Sequence, residues 1–122
     1  MRERPYQKLI VWREAHVLCL HVYALVKLLP DDERFRLVSQ MCRSAYSVPM
    51  NIAEGHAKRS RKEYLRFIDI AVGSLEELHY QLLLSRDLAY LSFQDFEKAV
   101  NQLQKVSYLL MRLRAALIQK SL

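Results

Sequence analysis

Hydrophobic and polar residues follow each other along this chain with the period of an α-helix. In two long segments the apolar residues recur at spacings of three and four, which places them on one face of a helix. One segment runs from Val38 to Ile52 and the other from Phe96 to Leu117. A single apolar face on a long helix is typical of bundles, in which helices pack side by side at shallow angles.

Capping and helix-breaking residues set the limits of four predicted helices. Pro30 ends the first, because a proline disfavours the helical conformation in the residue before it. Asp31 begins an acidic triplet that favours the start of the second. Ser60 and Glu63 form a capping-box pattern before the third, and Ser92 begins a weaker variant before the fourth. The predicted helices span about residues 9–29, 32–58, 61–88 and 93–120. We therefore predict an all-α fold: one domain over residues 1–122, forming an antiparallel up-down-up-down four-helix bundle.

Two residues interrupt the predicted helices. Pro49 lies inside the second, where it removes a main-chain hydrogen bond and clashes with the preceding turn, and so predicts a kink. Gly73 lies in the middle of the third, at a cost of about 1 kcal/mol relative to alanine. We expect the close approach of another backbone to compensate for that cost.

The first predicted helix is apolar around most of its circumference. A helix of this kind must be buried on more than one side, and no helix is central in a bundle of four. The pattern therefore predicts a homo-oligomer, with a thick core and a few singly exposed apolar side chains as the alternative. We place the subunit interface on Trp12, Leu18, Val22 and Leu25.

Composition narrows the class of protein further. The chain has 122 residues with only two glycines and three prolines, too few turn residues for an all-β fold. Cys19 and Cys42 match no metal-binding spacing, so we expect free, buried thiols. The N-terminal residues show no secretory signal. We therefore expect a cytoplasmic protein.

The net charge of +6 is concentrated in one stretch of the sequence. Residues 34–66 hold eight basic and two acidic residues, whereas the remainder of the chain holds eleven of each. Several of these cations surround the predicted cap at Ser60, where a phosphate backbone would meet them at a helix start. An ordinary charged loop is the alternative. The candidate nucleic-acid-binding residues are Arg43, Lys58, Arg59, Arg61, Lys62 and Arg66.

Motifs for catalysis are not found in the sequence. There is no nucleophile elbow and no phosphate-binding glycine loop. Glu76 and His79 form one Glu-x-x-His pattern, but the di-iron bundles that use this pattern need two copies. We therefore predict a protein that is not an enzyme and that holds no metal and no cofactor.

Several segments resemble a known family. Residues 40–55, which end in Asn51-Ile-Ala-Glu-Gly55, and the pattern from Tyr6 to Ala15 are similar to four-helix-bundle proteins named after intervening sequences in bacterial 23S ribosomal RNA genes. The resemblance spans residues 6 to about 91. It implies a bundle that assembles into a pentameric ring and supplies no enzyme activity. Related proteins are accessory variability determinants of diversity-generating retroelements, which implies nucleic acid and a reverse transcriptase as partners.

The residues that match this family pattern are mostly polar. We interpret them as setting the register of helices and subunits. Because Arg43 and Glu54 lie eleven residues apart, three turns along one face, we expect both to be partly buried and paired with the third helix. The assigned residues are Ser44, Asn51, Glu54, Gly55, Glu77 and Gln81.

Two functions follow from these patterns. The first is a non-catalytic accessory protein that binds the RNA or DNA backbone through basic patches, with little reading of base sequence. The second is an oligomeric scaffold or adaptor whose basic face binds an acidic protein and which has little affinity of its own for nucleic acid.

Overall fold

A computed structural model describes residues 2–121 of the chain, and the side chains of residues 2–119. These residues form helices and turns, without a β-strand. The four long helices are α1 (Ile10–Leu25), α2 (Leu37–His56), α3 (Arg61–Asp87) and α4 (Phe93–Ser121). The prediction of an all-α four-helix fold is confirmed.

The helices pack in cyclic order around one core. Helix α1 packs against α2 and α4, and α3 packs against the same two helices, while the backbones of the diagonal pairs lie farther apart within the described residues. The centre of the core is made of side chains that are fully buried. They include Leu18, Val22, Met41, Val48, Ile52, Ile68, Leu78, Leu82, Val106 and Leu110.

Polar contacts between neighbouring helices fix their register. Ser47 and Ser74 share a hydrogen bond of 2.9 Å between α2 and α3. On α4, the Gln102 side chain donates to the main-chain and carboxylate oxygens of Glu14, each at 2.9 Å, and Lys105 lies 3.3 Å from that carboxylate. The hydrogen bond from Gln102 lowers the pKa of the Glu14 carboxyl, and Lys105 lowers it further. These contacts mark a plane across the middle of the bundle.

The first two helices are shorter than predicted. Helix α1 ends at Leu25, and the chain continues as a short 3-10 helix, Val26–Leu28, towards Pro30. Helix α2 begins at Leu37, because the acidic triplet forms its own 3-10 turn, Asp31–Glu33. The Glu33 carboxylate accepts a bond from the Leu37 N–H at 3.4 Å, so the triplet supports the start of α2 from outside the helix.

The serine caps of α3 and α4 form as the sequence predicts. The Ser60 hydroxyl accepts from the Glu63 N–H, and the Ser92 hydroxyl accepts from the Asp95 N–H, each at 3.1 Å. The Glu63 carboxylate accepts a bond from Arg66 at 2.8 Å, so the serine half of the capping box is the part that forms.

Helix α3 ends in a Schellman motif built on an alanine. Ala89 has a φ of 64°, in the left-handed region that glycine usually occupies. The Tyr90 N–H donates to the Ser85 carbonyl and the Ala89 N–H donates to the Arg86 carbonyl, each at 2.9 Å. These two bonds close the helix and turn the chain towards α4.

Three of the four residues assigned to a subunit interface lie instead in the core of a single chain. Leu18 and Val22 are fully buried and Leu25 is 5% exposed, so these side chains have no surface left for a second copy. Trp12 is half-buried. The apolar side chains that α1 does expose, each by more than two fifths, are Ile10, Val17, Leu20 and Tyr23.

The two interrupting residues have different surroundings from those expected. Gly73 faces open space, since nothing lies within 4 Å of the position of a Cβ atom there. The expectation of a close backbone approach at Gly73 is therefore wrong for this chain. Pro49 is buried inside α2, which is helical on both sides of it; the kink stays a prediction. None of the described helices is long and apolar enough to cross a lipid bilayer.

Candidate nucleic-acid interface

Helices α2 and α3 meet in a tight corner at Gly55. A Cβ atom at Gly55 would lie 3.0 Å from both the Phe67 Cβ and the Tyr64 Cδ1 atoms, closer than most Cβ contacts in proteins. Glycine therefore lets the end of α2 approach the first turns of α3 this closely without displacing either side chain. His56 adds a contact of 3.2 Å between its Nδ1 atom and the Tyr64 hydroxyl. Burial raises the pKa of that tyrosine.

Cations surround the aromatic side chain at the centre of this corner. The Lys58 Nζ atom lies 5.1 Å from the centre of the Phe67 ring and the Arg66 Cζ atom lies 4.6 Å from it. The hydrogen bond and charge of Arg66 lower the pKa of the Glu63 carboxyl, so this pair is ionised at neutral pH. Arg59 and Lys62 are exposed and form no ion pair among the described side chains.

The N-terminal segment and the end of α4 come to the same end of the bundle. Arg4 and Tyr6 share a cavity with His56 at the end of α2. Arg114 forms an ion pair of 2.7 Å with Asp69, which places the second half of α4 beside the first half of α3. Three separate parts of the sequence therefore supply cations to one end.

We call this half of the molecule the basic end and define it as residues 2–14, 47–74 and 106–119, on one side of the plane through Glu14 and the Ser47–Ser74 bond. It holds eleven basic and five acidic residues, a net charge of +6. The other half, residues 15–46 and 75–105, holds seven basic and eight acidic residues, a net charge of −1. The charge of the protein is thus polarised along the bundle axis.

Three of the eight cations in the basic stretch seen in the sequence lie outside the basic end. Arg36 pairs with Asp32 at 3.9 Å and with Glu33 at 3.7 Å, so the acidic triplet beside it offsets its charge. Arg43 is exposed in the middle of α2, about 20 Å along the helix from the corner, since each residue rises about 1.5 Å. The structure brings together Lys58, Arg59, Arg61, Lys62 and Arg66, and separates Arg43 from them.

Two residues of the family signature belong to a polar strip between α2 and α3. Ser44 and Asn51 are buried, and the Asn51 amide donates to the Ser47 carbonyl at 2.7 Å and to its hydroxyl at 2.9 Å. Because Ser47 also bonds Ser74, the strip links the two helices. A small cavity beside it is lined by Arg43, Ser44, Ser47, Ser74 and Glu77.

The expectation for Arg43 and Glu54 is wrong, because both side chains are exposed. Burial falls instead on the uncharged residues of the signature, which cost far less to remove from water than charges do. Gln81 is half-buried, and its Oε1 atom is buried without a hydrogen-bond partner among the described atoms.

The side chains that could bind a metal ion or react as thiols are not gathered into a site within the described residues. Within residues 2–119, no group of three or more His, Cys, Asp or Glu side chains is arranged so that it could hold a metal ion. Cys19 and Cys42 are both free thiols, as the sequence predicts. Cys19 is buried as expected, whereas Cys42 is only half-buried. Burial raises the pKa of each, which keeps them protonated at neutral pH.

Sequence reasoning missed the contributions of Arg4 and of Arg112 and Arg114 to the basic end. These residues lie far from the corner in the sequence, so counting charges by stretch does not group them. The signal was nevertheless present, because an antiparallel bundle places its N-terminus, the α2–α3 connection and its C-terminus at one end.

A protein of known structure shares this fold. The chain is similar to a protein of unknown function from the S23 ribosomal protein family of Bacteroides thetaiotaomicron, with a TM-score of 0.80 and 24% sequence identity over 86% of this chain and 98% of that chain. At this identity the likeness concerns the fold. No curated protein matches the sequence significantly. The family described as 23S rRNA-intervening sequence protein matches residues 7–112, which is most of the chain. The protein therefore belongs to the family of 23S rRNA-intervening sequence proteins.

Proposed function

We propose that this protein is a non-catalytic accessory protein that binds RNA or DNA through its basic end. The observation that carries the proposal is the polarised charge, +6 in one half of the bundle and −1 in the other. A segregated surface of this kind attracts a polyanion in one orientation and raises its rate of association. The other charged partner that it would fit is an acidic protein.

The geometry of the corner favours a phosphate backbone. Lys58, Arg59 and Lys62 are exposed and close together in the chain around the start of α3, so they match a partner whose charges repeat at short intervals. Backbone contacts position a strand without selecting its sequence, so the proposed binding is tolerant of sequence.

The proposal includes assembly of several copies. The exposed apolar side chains of α1 form a face that a single chain leaves in water, and a second copy would cover it. The resemblance to the family supplies the number, a homopentamer, and a reverse transcriptase of a diversity-generating retroelement as the protein partner. A ring of copies would repeat the basic end around one axis and multiply its charge.

A pair of triple variants tests the binding site. Lys58→Ala/Arg59→Ala/Lys62→Ala removes three cations from the basic end, and Lys27→Ala/Arg34→Ala/Lys98→Ala removes three from the other half. Both variants have the same net charge. We expect the first to weaken binding of labelled single-stranded RNA about tenfold or more, and the second to leave it within about twofold. Fluorescence anisotropy at low salt measures the affinities, and circular dichroism checks the fold.

Equal losses in both variants would show that only net charge matters and would contradict a site at the basic end. Absence of binding by the wild-type protein at low salt would contradict the proposed function itself. In that case binding of an acidic polypeptide, poly-glutamate, through the same three cations would identify the scaffold function.

A further inference from the structure

A cavity of about 170 Å³ lies between the N-terminal segment and the end of α2, within the basic end. Its volume suits one aromatic ring, since a protein cavity of about 150 Å³ is large enough to bind benzene. The cavity is lined by Arg4, Pro5, Tyr6, Ala53, His56 and Ala57. Two of these six side chains are aromatic rings, and they come from opposite walls: Tyr6 from the N-terminal segment and His56 from α2.

Both rings are held in place by a second aromatic side chain. Tyr6 packs edge-to-face on Trp12, with ring centres 5.1 Å apart, and Trp12 in turn stacks on His16 at 5.0 Å. His56 packs edge-to-face on Tyr64 at 5.7 Å and contacts its hydroxyl through Nδ1. Because these contacts fix the rings before any ligand arrives, little conformational entropy is lost when a planar group enters.

The aromatic rings of Tyr6 and His56 keep part of their surface available. Each of the two residues is half-buried, whereas the aromatic side chain at the centre of the corner, Phe67, is buried. None of the six residues that line the cavity is buried. The cavity is therefore a surface feature between two elements and not a defect of the core.

Positive charges lie on both sides of the cavity. Arg4 lines it directly, and Lys58 and Arg59 follow its other wall, Ala57, without a break in the chain. Arg4 forms no ion pair among the described side chains. A basic surface with aromatic side chains between its cations is the arrangement by which proteins bind single-stranded nucleic acid, with bases stacked on the rings and phosphates on the cations.

We infer that this cavity accepts an unpaired base of a nucleic-acid strand, stacked against Tyr6 and His56, while the neighbouring phosphates contact Arg4, Lys58 and Arg59. This inference rests on the proposed function and adds the class of strand. A base in a duplex is stacked on its neighbours and cannot enter such a cavity without being extruded. The protein should therefore prefer single-stranded RNA or DNA to a duplex.

Strands with and without bases separate the contribution of base stacking from that of the phosphate contacts. The probes are a ten-nucleotide polyuridylate RNA and an abasic strand of the same length, which has the same phosphates but no bases. We expect the wild-type protein to bind the polyuridylate about tenfold more tightly. Trp12 is the only tryptophan of the chain and contacts Tyr6, so its fluorescence should change with the first strand and not with the second.

Substitutions at Tyr6 locate the effect. Tyr6→Leu should bring the affinity for polyuridylate down to that for the abasic strand, whereas Tyr6→Phe, which keeps the ring, should retain the preference. The matched control is Tyr80→Leu, which removes a tyrosine that is 61% exposed in the other half of the molecule and should change neither affinity. The retained preference of Tyr6→Phe and the unchanged thermal unfolding of Tyr6→Leu exclude a general loss of structure.

Three results would overturn the inference. Equal binding of both strands by the wild-type protein, with both weakened by the Lys58→Ala/Arg59→Ala/Lys62→Ala substitutions, would refute the base site and leave the proposed function intact. Binding of neither strand would refute both. Binding of uridine monophosphate as tightly as the ten-nucleotide strand would assign the cavity to free nucleotides and refute its role in holding a strand.

Discussion

Gly55 and Gly73, the two glycines of the chain, look alike in the sequence because each lies within a predicted helical segment. Their surroundings differ completely. A Cβ atom at Gly55 would come within 3.0 Å of Phe67 and Tyr64, whereas one at Gly73 would have nothing within 4 Å. A helical pattern gives the face on which a residue lies but not how closely the facing helix approaches. The close approach was therefore predicted for Gly73 and occurs at Gly55.

Alanine substitutions should separate the two positions. We expect Gly55→Ala to lower the free energy of unfolding by about 1–3 kcal/mol, because the α2–α3 corner must open to admit the methyl group. Gly73→Ala should raise it by about 0.5–1 kcal/mol, because alanine favours a helix interior and has room there. Urea unfolding followed by circular dichroism measures both. A stabilised Gly55→Ala variant would contradict the close approach at the corner.

At the scale of whole helices, the sequence predicted α3 and α4 well and α1 and α2 less accurately. Ser60 and Ser92 mark the starts of α3 and α4 in the sequence, because their hydroxyls cap the first turns by purely local hydrogen bonds. The acidic triplet also predicts a local cap, but the chain has to reverse direction there, so α2 begins only at Leu37. The need to connect α1 with α2 therefore outweighed the local preference of the acidic residues for a helix start.

Helix α1 shows a second limit at this scale. Its apolar residues lie all round the helix, so their spacing does not show which side faces the core and which faces outward. The pattern predicts apolar residues on both sides, and in the structure Leu18 and Val22 belong to the core, whereas Leu20 and Ile10 belong to the outer side. Only the packing of α1 against α2 and α4 decides between them.

A charge placed on the outer side of α1 tests the proposed assembly. Leu20 is 59% exposed, so Leu20→Glu should leave the fold intact but reduce the assembled mass measured by sedimentation velocity at micromolar concentration. Gln104→Glu, on an exposed position of α4, is the control and should assemble as the wild type does. A monomeric wild-type protein, or unchanged assembly of Leu20→Glu, would contradict an interface on this face.

At the scale of the whole molecule, the antiparallel topology converts a modest net charge into a polarised one. Counting along the sequence located the excess in residues 34–66, whereas the fold moves part of it to the far half and adds Arg4, Arg112 and Arg114 to the basic end. The net charge follows from the sequence alone, but the location of the charge on the surface depends on which segments the fold brings together. The fold class was predictable from the period of the apolar residues, and the limits of the basic end required the structure.

The salt dependence of RNA binding tests the central claim most directly. For single strands the logarithm of the binding constant falls with the logarithm of the salt concentration by about 0.7 per phosphate contacted. If Lys58, Arg59 and Lys62 each contact one phosphate, their joint substitution by alanine should make the slope shallower by about 2. The substitution of Lys27, Arg34 and Lys98 should leave it unchanged. Equal slopes for the wild-type protein and the first variant would contradict a nucleic-acid site at the basic end.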